Sequence, residues 1–191
     1  MPDLTIGIDP IEHDQPAGDY AAVLAKLPPV FAACCGSNTA RFDLSGPWMD
    51  GGFAYASDRR NVVRMPVDAA LAAEIDAARP KSAPAPSNGP KVFAGRWVAD
   101  PVEPPAYDPA HECKGCYGRE RVACECCLGS RIDPFATCQV GTVTLAADLV
   151  RMIRDAGGVL YPSRQHAHRK PVRWVVPGTA IEGVVMPMTT G

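Results

Sequence analysis

The strongest periodic pattern of apolar and polar positions lies near the C-terminal end of the chain. Its apolar residues recur at the spacing of one helix face: Leu145, Leu149, Met152, Ile153 and Ala156. Thr144 precedes this run as a predicted N-cap, and Gly157 with Gly158 follows it as a predicted stop. We therefore predict an amphipathic helix whose apolar face lies in a core.

Residues 19–35, "DYAAVLAKLPPVFAACC", form a second helical segment that contains Pro28 and Pro29. A proline inside a helix costs about 3 kcal/mol, so we predict two helical pieces here. Four other stretches carry β-branched and aromatic residues bounded by Gly, Pro or Asp, which predicts strands. They are "ARFDLSGPWMD", "GFAYASDRRNVVRMPV", "KPVRWVVPG" and "AIEGVVMPM". The expected fold class is α+β.

Two proline-rich stretches, residues 78–91 and 99–110, lack a periodic apolar pattern and are predicted to be spacers. Between them, "VFAGRWVA" is predicted to form one short strand. We expect a host α+β domain from residues 1–78 plus 140–191, a proline-rich linker over 79–110, and an insertion over 111–131.

The insertion holds five of the eight cysteines of the chain within fifteen positions. Cys113 and Cys116 form one C-x-x-C pair and Cys124 and Cys127 form another, with seven residues between the pairs. Two such pairs supply the four thiolates of a closed structural zinc site, so structural Zn²⁺ is the expected cofactor. Cys126 or His111 could replace one ligand, and a redox-active dithiol is the main alternative.

Each cysteine pair is followed by a glycine, Gly118 or Gly129, which gives the motif C-x-x-C-x-G twice. This motif resembles the zinc knuckles of the DnaJ-type chaperones. The resemblance covers about a tenth of the chain, and the second glycine of each DnaJ repeat is replaced by Glu120 or Arg131. It implies a zinc knuckle and no chaperone function.

Charge and motifs limit the classes of function that the sequence supports. The chain has 19 basic and 21 acidic side chains, a net charge of -2 that gives no global reason to bind nucleic acid or membranes. A basic stretch near the C-terminus supplies the candidate nucleic-acid contacts, with a solvated loop as the alternative: Arg164, Arg169, Lys170 and Arg173. Phosphate loops, nucleophile elbows and H-E-x-x-H motifs do not occur, so we expect no enzyme. Without an export signal or a long apolar run, a cytoplasmic location is expected.

Residues 40–67 contain Arg-Phe-x-Leu-Ser-Gly and then, after one predicted strand, Ala-Ser-Asp, while Val-Val-Met-Pro-Met lies at residues 184–188. The matching positions of the first two motifs are Arg41, Phe42, Leu44, Ser45, Gly46, Ala56, Ser57 and Asp58. In this order, with the predicted helix between them, the motifs resemble a domain of the bacterial DNA sliding clamp, the beta subunit of DNA polymerase III. The resemblance implies a single clamp-like domain in which two helices pack on antiparallel sheet.

The same resemblance implies an apolar groove that binds short peptides of polymerases and repair factors. Carried over residue by residue, the groove consists of Ser57, Arg59, Arg60, Val62, Val184, Met186, Pro187 and Met188. Arg59 and Arg60 depart from the family, which has glycine and histidine there. Met and Val side chains can repack around Leu or Phe anchors of a peptide.

The implied function is that of a noncatalytic, zinc-binding module of DNA replication or repair. Its expected partners are peptides of other proteins, with DNA as a second partner and no membrane. A clamp ring has six domains of this type, so a ring would require a homo-oligomer of six chains. The alternative is a zinc-knuckle interaction or regulatory protein, of phage or mobile-element type, that uses the clamp-like fold only as a scaffold. Cys34, Cys35 and Cys138 are expected to be small buried apolar residues.

Overall fold

The structure, a computed structural model, describes residues 19–36, 44–79, 93, 100–115, 131–133, 135–162 and 170–188. Its main sheet has six strands, all paired antiparallel, in the order β1-β2-β3-β8-β7-β6. These strands are β1 Trp48–Asp50, β2 Phe53–Ser57, β3 Asn61–Pro66, β6 Val159–Tyr161, β7 Val172–Val175 and β8 Glu182–Val185. A separate hairpin joins β4 Thr137–Val140 to β5 Val143–Ala146.

The described helices are short, and the predicted α+β class is confirmed. They are α1 Ala21–Leu24, α2 Pro29–Ala33, α3 Ala69–Ala78 and α4 Ala147–Asp155, with a 3-10 turn at Pro109–His111. The predicted break between α1 and α2 is also confirmed, because Pro28 is extended (φ -53°, ψ 143°) and Pro29 begins α2. A proline is tolerated at that first position, where its missing N–H has no helical partner. None of these helices is long and apolar enough to cross a membrane.

The predicted start of the C-terminal helix at Thr144 is wrong. Thr144 and Leu145 lie in β5, where they pair with Gln139 and Cys138 of β4, and Ala146 is the N-cap of α4. Leu145 therefore reaches the core from a strand, and the hairpin takes the backbone hydrogen bonds that a longer helix would need. The predicted stop is confirmed, because α4 ends at Asp155 and Gly157 has a φ of +72°.

Helix α3 and the β4–β5 hairpin were not predicted. Asp68 caps α3 with a side-chain oxygen that accepts a hydrogen bond of 2.8 Å from the backbone N–H of Leu71. Only Ile75 of this helix is buried. A helix that buries so little has no clear apolar stripe in its sequence, which is why the sequence did not predict it. The strand expected over "VFAGRWVA" lies outside the described residues, apart from Phe93, which is helical and where the prediction is wrong.

Alternate side chains of each strand divide between two apolar clusters, one on each face of the main sheet. We call the larger one the inner core; strands β2, β3, β6, β7 and β8 contribute to it together with all four helices and the hairpin. We call the smaller one the outer cluster, and its buried members are Leu44, Trp48, Tyr55, Phe93 and Val184. Phe93 belongs to the predicted linker, and so does Val102, which forms a two-hydrogen-bond bridge with Leu160 at the β6 edge. Phe93 and Val102 of the linker thus pack on the sheet.

Candidate functional site

The structure brings together the two distant stretches that form the predicted groove. Strands β3 and β8 pair antiparallel, with Asn61 opposite Val185 and Val62 opposite Val184. Beyond the pair, the backbone N–H of Met186 donates to the carbonyl of Arg60 at 2.8 Å. The β2–β3 turn and the segment after β8 therefore lie side by side.

The β2–β3 turn is held in one conformation by its own side chains. The hydroxyl of Ser57 donates to the Asn61 carbonyl at 2.8 Å and accepts from the Arg59 N–H at 3.0 Å. The carboxylate of Asp58 accepts from the N–H groups of Arg60 at 2.9 Å and Asn61 at 2.7 Å. Arg59 has a φ of +76°, a left-handed conformation that glycine adopts more easily. A glycine would adopt this conformation without strain, and here Arg59 adopts it.

Arg60 contacts helix α4 as well as its own turn. Its guanidinium lies 2.7 Å from the Asp148 carboxylate and 3.4 Å from that of Asp58. Burial lowers the pKa of Arg60, but the hydrogen bonds and charges of Asp148 and Asp58 outweigh it and raise the pKa overall. The charge of Arg60 is thus balanced within the protein. Asp148 was not predicted as its partner, because the two residues are distant in sequence and share no motif.

The predicted groove residues differ in their access to solvent. Met186 and Met188 are 46% and 36% exposed, while Val184 is only 2% exposed. Val184 and Val62 belong to the outer cluster, where Phe93 and Leu44 pack beside them. Ser57 is buried, and Pro187 is half-buried. The accessible part is what we call the methionine surface: Arg59, Arg60, Met186, Pro187 and Met188.

The methionine surface is fixed at both ends by backbone hydrogen bonds. Met186 donates to Arg60 of the β2–β3 turn, and the Met188 N–H donates to the Thr144 carbonyl of β5 at 2.9 Å. The chain at 186–188 therefore bridges the main sheet and the hairpin. Two flexible apolar side chains stand on a rigid backbone, which is an arrangement suited to binding an apolar peptide side chain.

Of the four predicted zinc ligands, Cys113 is described and is 1% exposed. Cys116, Cys124 and Cys127 lie outside the described residues, as does Cys126. The two ends of the cysteine segment are joined, because Cys113 N–H donates to the Arg131 carbonyl at 2.9 Å and Asp133 N–H donates to the His111 carbonyl at 2.8 Å. These bonds pair residues 111–113 with residues 131–133, and a buried thiol at this paired base fits a closed metal site. Within the described residues, no group of three or more ligand side chains gathers.

His111 lies beside this base, in contact with a cysteine outside the two C-x-x-C pairs. Its Nδ1 is 3.7 Å from the Cys138 sulfur, and its Nε2 is 3.9 Å from a carboxylate oxygen of Asp108. Burial, and then the charge of Asp108, raise the pKa of Cys138, while Arg154 opposes the rise. This environment therefore favours the neutral thiol of Cys138.

The predicted nucleic-acid contacts are only partly within the described residues. Lys170 is exposed, whereas Arg173 is bound to Glu182 at 2.7 Å. Arg164 and Arg169 lie outside the described residues. The guanidinium of Arg64 also contacts Glu182, at 2.8 Å. Arg173 therefore takes part in an ion-pair cluster on the outer face of the sheet.

Comparison of the chain with protein-family models, curated proteins and solved structures gave no match in any of the three.

Proposed function

We propose that this chain is a noncatalytic, clamp-like interaction module that binds short peptides of DNA replication or repair proteins at the methionine surface. The observation that supports this proposal is the placement of Met186 and Met188, exposed on backbone that is hydrogen-bonded to Arg60 and Thr144. Exposed large apolar residues that lie close together mark interaction sites more often than scattered ones do.

The expected ligand is an extended peptide with a Leu or Phe anchor and an acidic neighbour. Thioether side chains adapt to either anchor, and Arg59 provides an exposed positive charge beside them. Val62 and Val184 are covered by the outer cluster, so we propose that the peptide contacts them less than the clamp resemblance implies.

A fluorescein-labelled clamp-binding peptide with Leu and Phe anchors tests this function by fluorescence anisotropy. We expect Met186→Ala and Met188→Ala each to weaken binding about tenfold, as removal of a central apolar contact does. Phe135→Ala is the matched control, since Phe135 is an 86% exposed aromatic residue outside the surface. Equal affinity in wild type, both methionine variants and the control would overturn the proposal.

A ring around DNA is a separate part of the clamp proposal. Light scattering with and without a short DNA duplex distinguishes a monomer of 20.3 kDa from an assembly near six chains. An assembly near six chains would support encirclement of DNA. A monomer indifferent to DNA would limit the function to peptide binding.

A second candidate function rests on the cysteine segment. In this proposal Cys113, Cys116, Cys124 and Cys127 hold one structural zinc ion, and the resulting knuckle binds a protein or nucleic acid while the α+β domain serves as scaffold. It is supported by the buried thiol of Cys113 and by the paired base at residues 111–113 and 131–133. Metal binding would supply the folding energy that a short proline-flanked segment lacks.

Elemental analysis and hydrogen exchange test the zinc site. We expect one zinc per chain, lost in Cys113→Ser and Cys127→Ser and kept in Cys138→Ala. Chelation should remove amide protection over residues 108–138 and spare the main sheet. If zinc were lost in His111→Ala or Cys126→Ser but kept in Cys113→Ser, then His111 or Cys126 would be a ligand in place of Cys113. Unchanged protection in chelator would refute a structural role for zinc.

A further inference from the structure

A cleft of about 580 Å³ lies between α2, α4, the β7–β8 turn and the base of the cysteine segment. Its apolar lining includes Val30 of α2, Ile132, Met152 of α4, and Val176 with Ile181 of the turn. Small-molecule sites in proteins have volumes of roughly 300 to 1,000 Å³ and mostly apolar walls. The cleft has the size and lining of such a site, and it does not include the methionine surface.

One end of the cleft opens into a polar hollow that shares Arg131, Arg151 and Asp155 with it. The hollow is completed by Tyr107, Glu112 and Arg154. Three guanidinium groups thus face two carboxylates in this small region. Asp155 lies 3.4 Å from Arg151 and 3.3 Å from Arg154, so one exposed carboxylate is shared between two cations at long distances.

Several acidic groups near the hollow have partners of their own. Asp148 lines the cleft, and Arg60 pairs with it from the β2–β3 turn at 2.7 Å. Glu112 interacts with the hydroxyl of Tyr107, where desolvation and the Glu112 carboxylate raise the pKa of Tyr107 and the charge of Asp108 adds to the rise. Arg151 lies on the ring of Tyr107, 5.9 Å from its centroid. In the described lining of the hollow, arginines therefore outnumber carboxylates, and a guanidinium with five N–H donors can bind one carboxylate and still donate to a ligand.

The backbone at Arg131 is unusual and connects the cleft to the cysteine segment. Arg131 has a φ of +64°, which is uncommon for a residue with a side chain and is found more often at binding sites. Its carbonyl accepts the N–H of Cys113, and the next residue, Ile132, is buried in the cleft wall. The strained residue thus places a guanidinium and an apolar wall at the same site.

From these observations we infer that the cleft binds a small amphiphilic anion, with its apolar body on Val30, Ile132 and Met152 and its anionic group at Arg131, Arg151 and Arg154. A carboxylate and a phosphate share this chemistry, since guanidinium groups bind both with paired hydrogen bonds. The inference does not depend on peptide binding at the methionine surface.

Calorimetric titration of the full-length protein with decanoate, decyl phosphate and decanol, below the concentrations at which they form micelles, tests this inference. We expect both anions to bind at least tenfold more tightly than decanol. Tighter binding of decyl phosphate would assign a phosphate head, and tighter binding of decanoate a carboxylate. Binding of decanol as tight as that of the anions would overturn the inference.

Two variants separate the anionic end of the site from its apolar part. Arg151→Gln should weaken the binding of both anions about tenfold and leave that of decanol unchanged, because it removes one charged hydrogen-bond donor. Ala33→Phe, a change at an exposed cleft residue of α2, should weaken the binding of all three by filling the apolar part. Lys26→Gln is the control, because Lys26 is an exposed cation that lines neither the cleft nor the methionine surface. Anion affinity that is unaffected by Arg151→Gln and by Ala33→Phe would place the binding elsewhere and overturn the inference.

Discussion

The two faces of the main sheet are covered in different ways. On the inner face, helices α1 to α4 and the hairpin pack against the sheet and bury twenty side chains in one core. On the outer face, five of the described buried side chains form the cluster, and two of them, Leu44 and Phe93, come from outside the strands of the sheet. The inner core is shared among many contacts, whereas the outer cluster depends on a few.

The chemistry of the two faces differs as well. The outer face carries Arg64 between the rings of Phe53 and Phe93, with its guanidinium carbon 4.6 Å and 4.0 Å from their centroids. Glu182 binds Arg64 and Arg173 on the same face. On the inner face, polar groups are few and are satisfied by one another, as where Trp174 Nε1 donates to Asn61 Oδ1 at 3.1 Å. A small aromatic and charged cluster can loosen locally, while a large apolar core is lost with the whole fold.

The largest effect is expected from Trp174→Ala on the inner face. Trp174 is fully buried, and Gly183 of β8 faces it so closely that an added Cβ would lie 2.1 Å from the indole ring. The substitution leaves a large cavity and removes the donor to Asn61 Oδ1, so we expect a loss of about 4 kcal/mol in the free energy of unfolding. Urea denaturation followed by circular dichroism measures it.

Trp48→Ala is the matched variant on the outer face, since both tryptophans are almost fully buried. Trp48 lies on the edge strand β1 and stacks on Tyr55 with ring centroids 5.6 Å apart. The outer cluster is small, so the side chains around the cavity can collapse into it more easily. We therefore expect the free energy of unfolding to fall by about 1 kcal/mol less than in Trp174→Ala. Equal losses in the two variants would mean that the two faces are a single cooperative unit.

The inner face is also the part of the fold that the sequence predicted best. The break at Pro28, the strands around Val63 and Val185, and the end of the helix at Gly157 each follow from a local rule of backbone chemistry. The error at Thr144 arose because Thr144 and Leu145 fit a helix start and a strand equally well. Pairing with β4, a tertiary effect, decided between the two.

The packing of the outer face could not be predicted from the sequence, for a physical reason. Phe93 lies in a stretch rich in proline, where no period relates it to Tyr55 or Arg64. Its packing therefore depends on a tertiary contact, which local propensity does not encode. The same applies to the cleft, whose arginines at 131, 151 and 154 come from two segments that meet only in the fold.

A smaller loss of stability is expected from Phe93→Ala, which removes the cover of the outer cluster. Phe93 packs on Tyr55 at 6.1 Å between ring centroids and on Arg64 at 4.0 Å. We expect the free energy of unfolding to fall by about 2 to 3 kcal/mol, below the usual cost of a buried phenylalanine, because this cluster can relax. Hydrogen exchange should show the loss of protection at β1 and β2 first.

Phe135→Ala is the control for Phe93→Ala, because Phe135 is 86% exposed and should change stability by less than about 0.5 kcal/mol. If Phe93→Ala behaved like this control, then the linker would not stabilise the sheet, and Val62 and Val184 would be open to a peptide. Uniform loss of protection over both faces would instead contradict independent loosening of the outer cluster.

The smallest predicted change in stability, taken over one pH unit, concerns the thiol of Cys34 in the inner core. Cys34 is fully buried; its sulfur lies 2.9 Å from Asn61 Nδ2 and 3.5 Å from the Met152 sulfur. Burial, followed by the charge of Asp58 and the thiol of Cys35, raises the pKa of Cys34 well above its ordinary value. The unfolded chain therefore loses this proton at a lower pH than the folded protein does.

The stability that Cys34 contributes is present below the thiol pKa of the unfolded chain, about 8.5, and falls as the pH rises above it. The stability difference between wild type and Cys34→Ala should shrink by about 1.4 kcal/mol per pH unit there, measured by urea denaturation from pH 7 to 9.5. Cys138→Ala, at a partly buried thiol, should show a smaller change. Phe93→Ala should keep the wild-type slope, because the described outer cluster contains no thiol. If the free energy of unfolding changed equally with pH in wild type and Cys34→Ala, then water would reach Cys34, and the inner face would be no drier than the outer one.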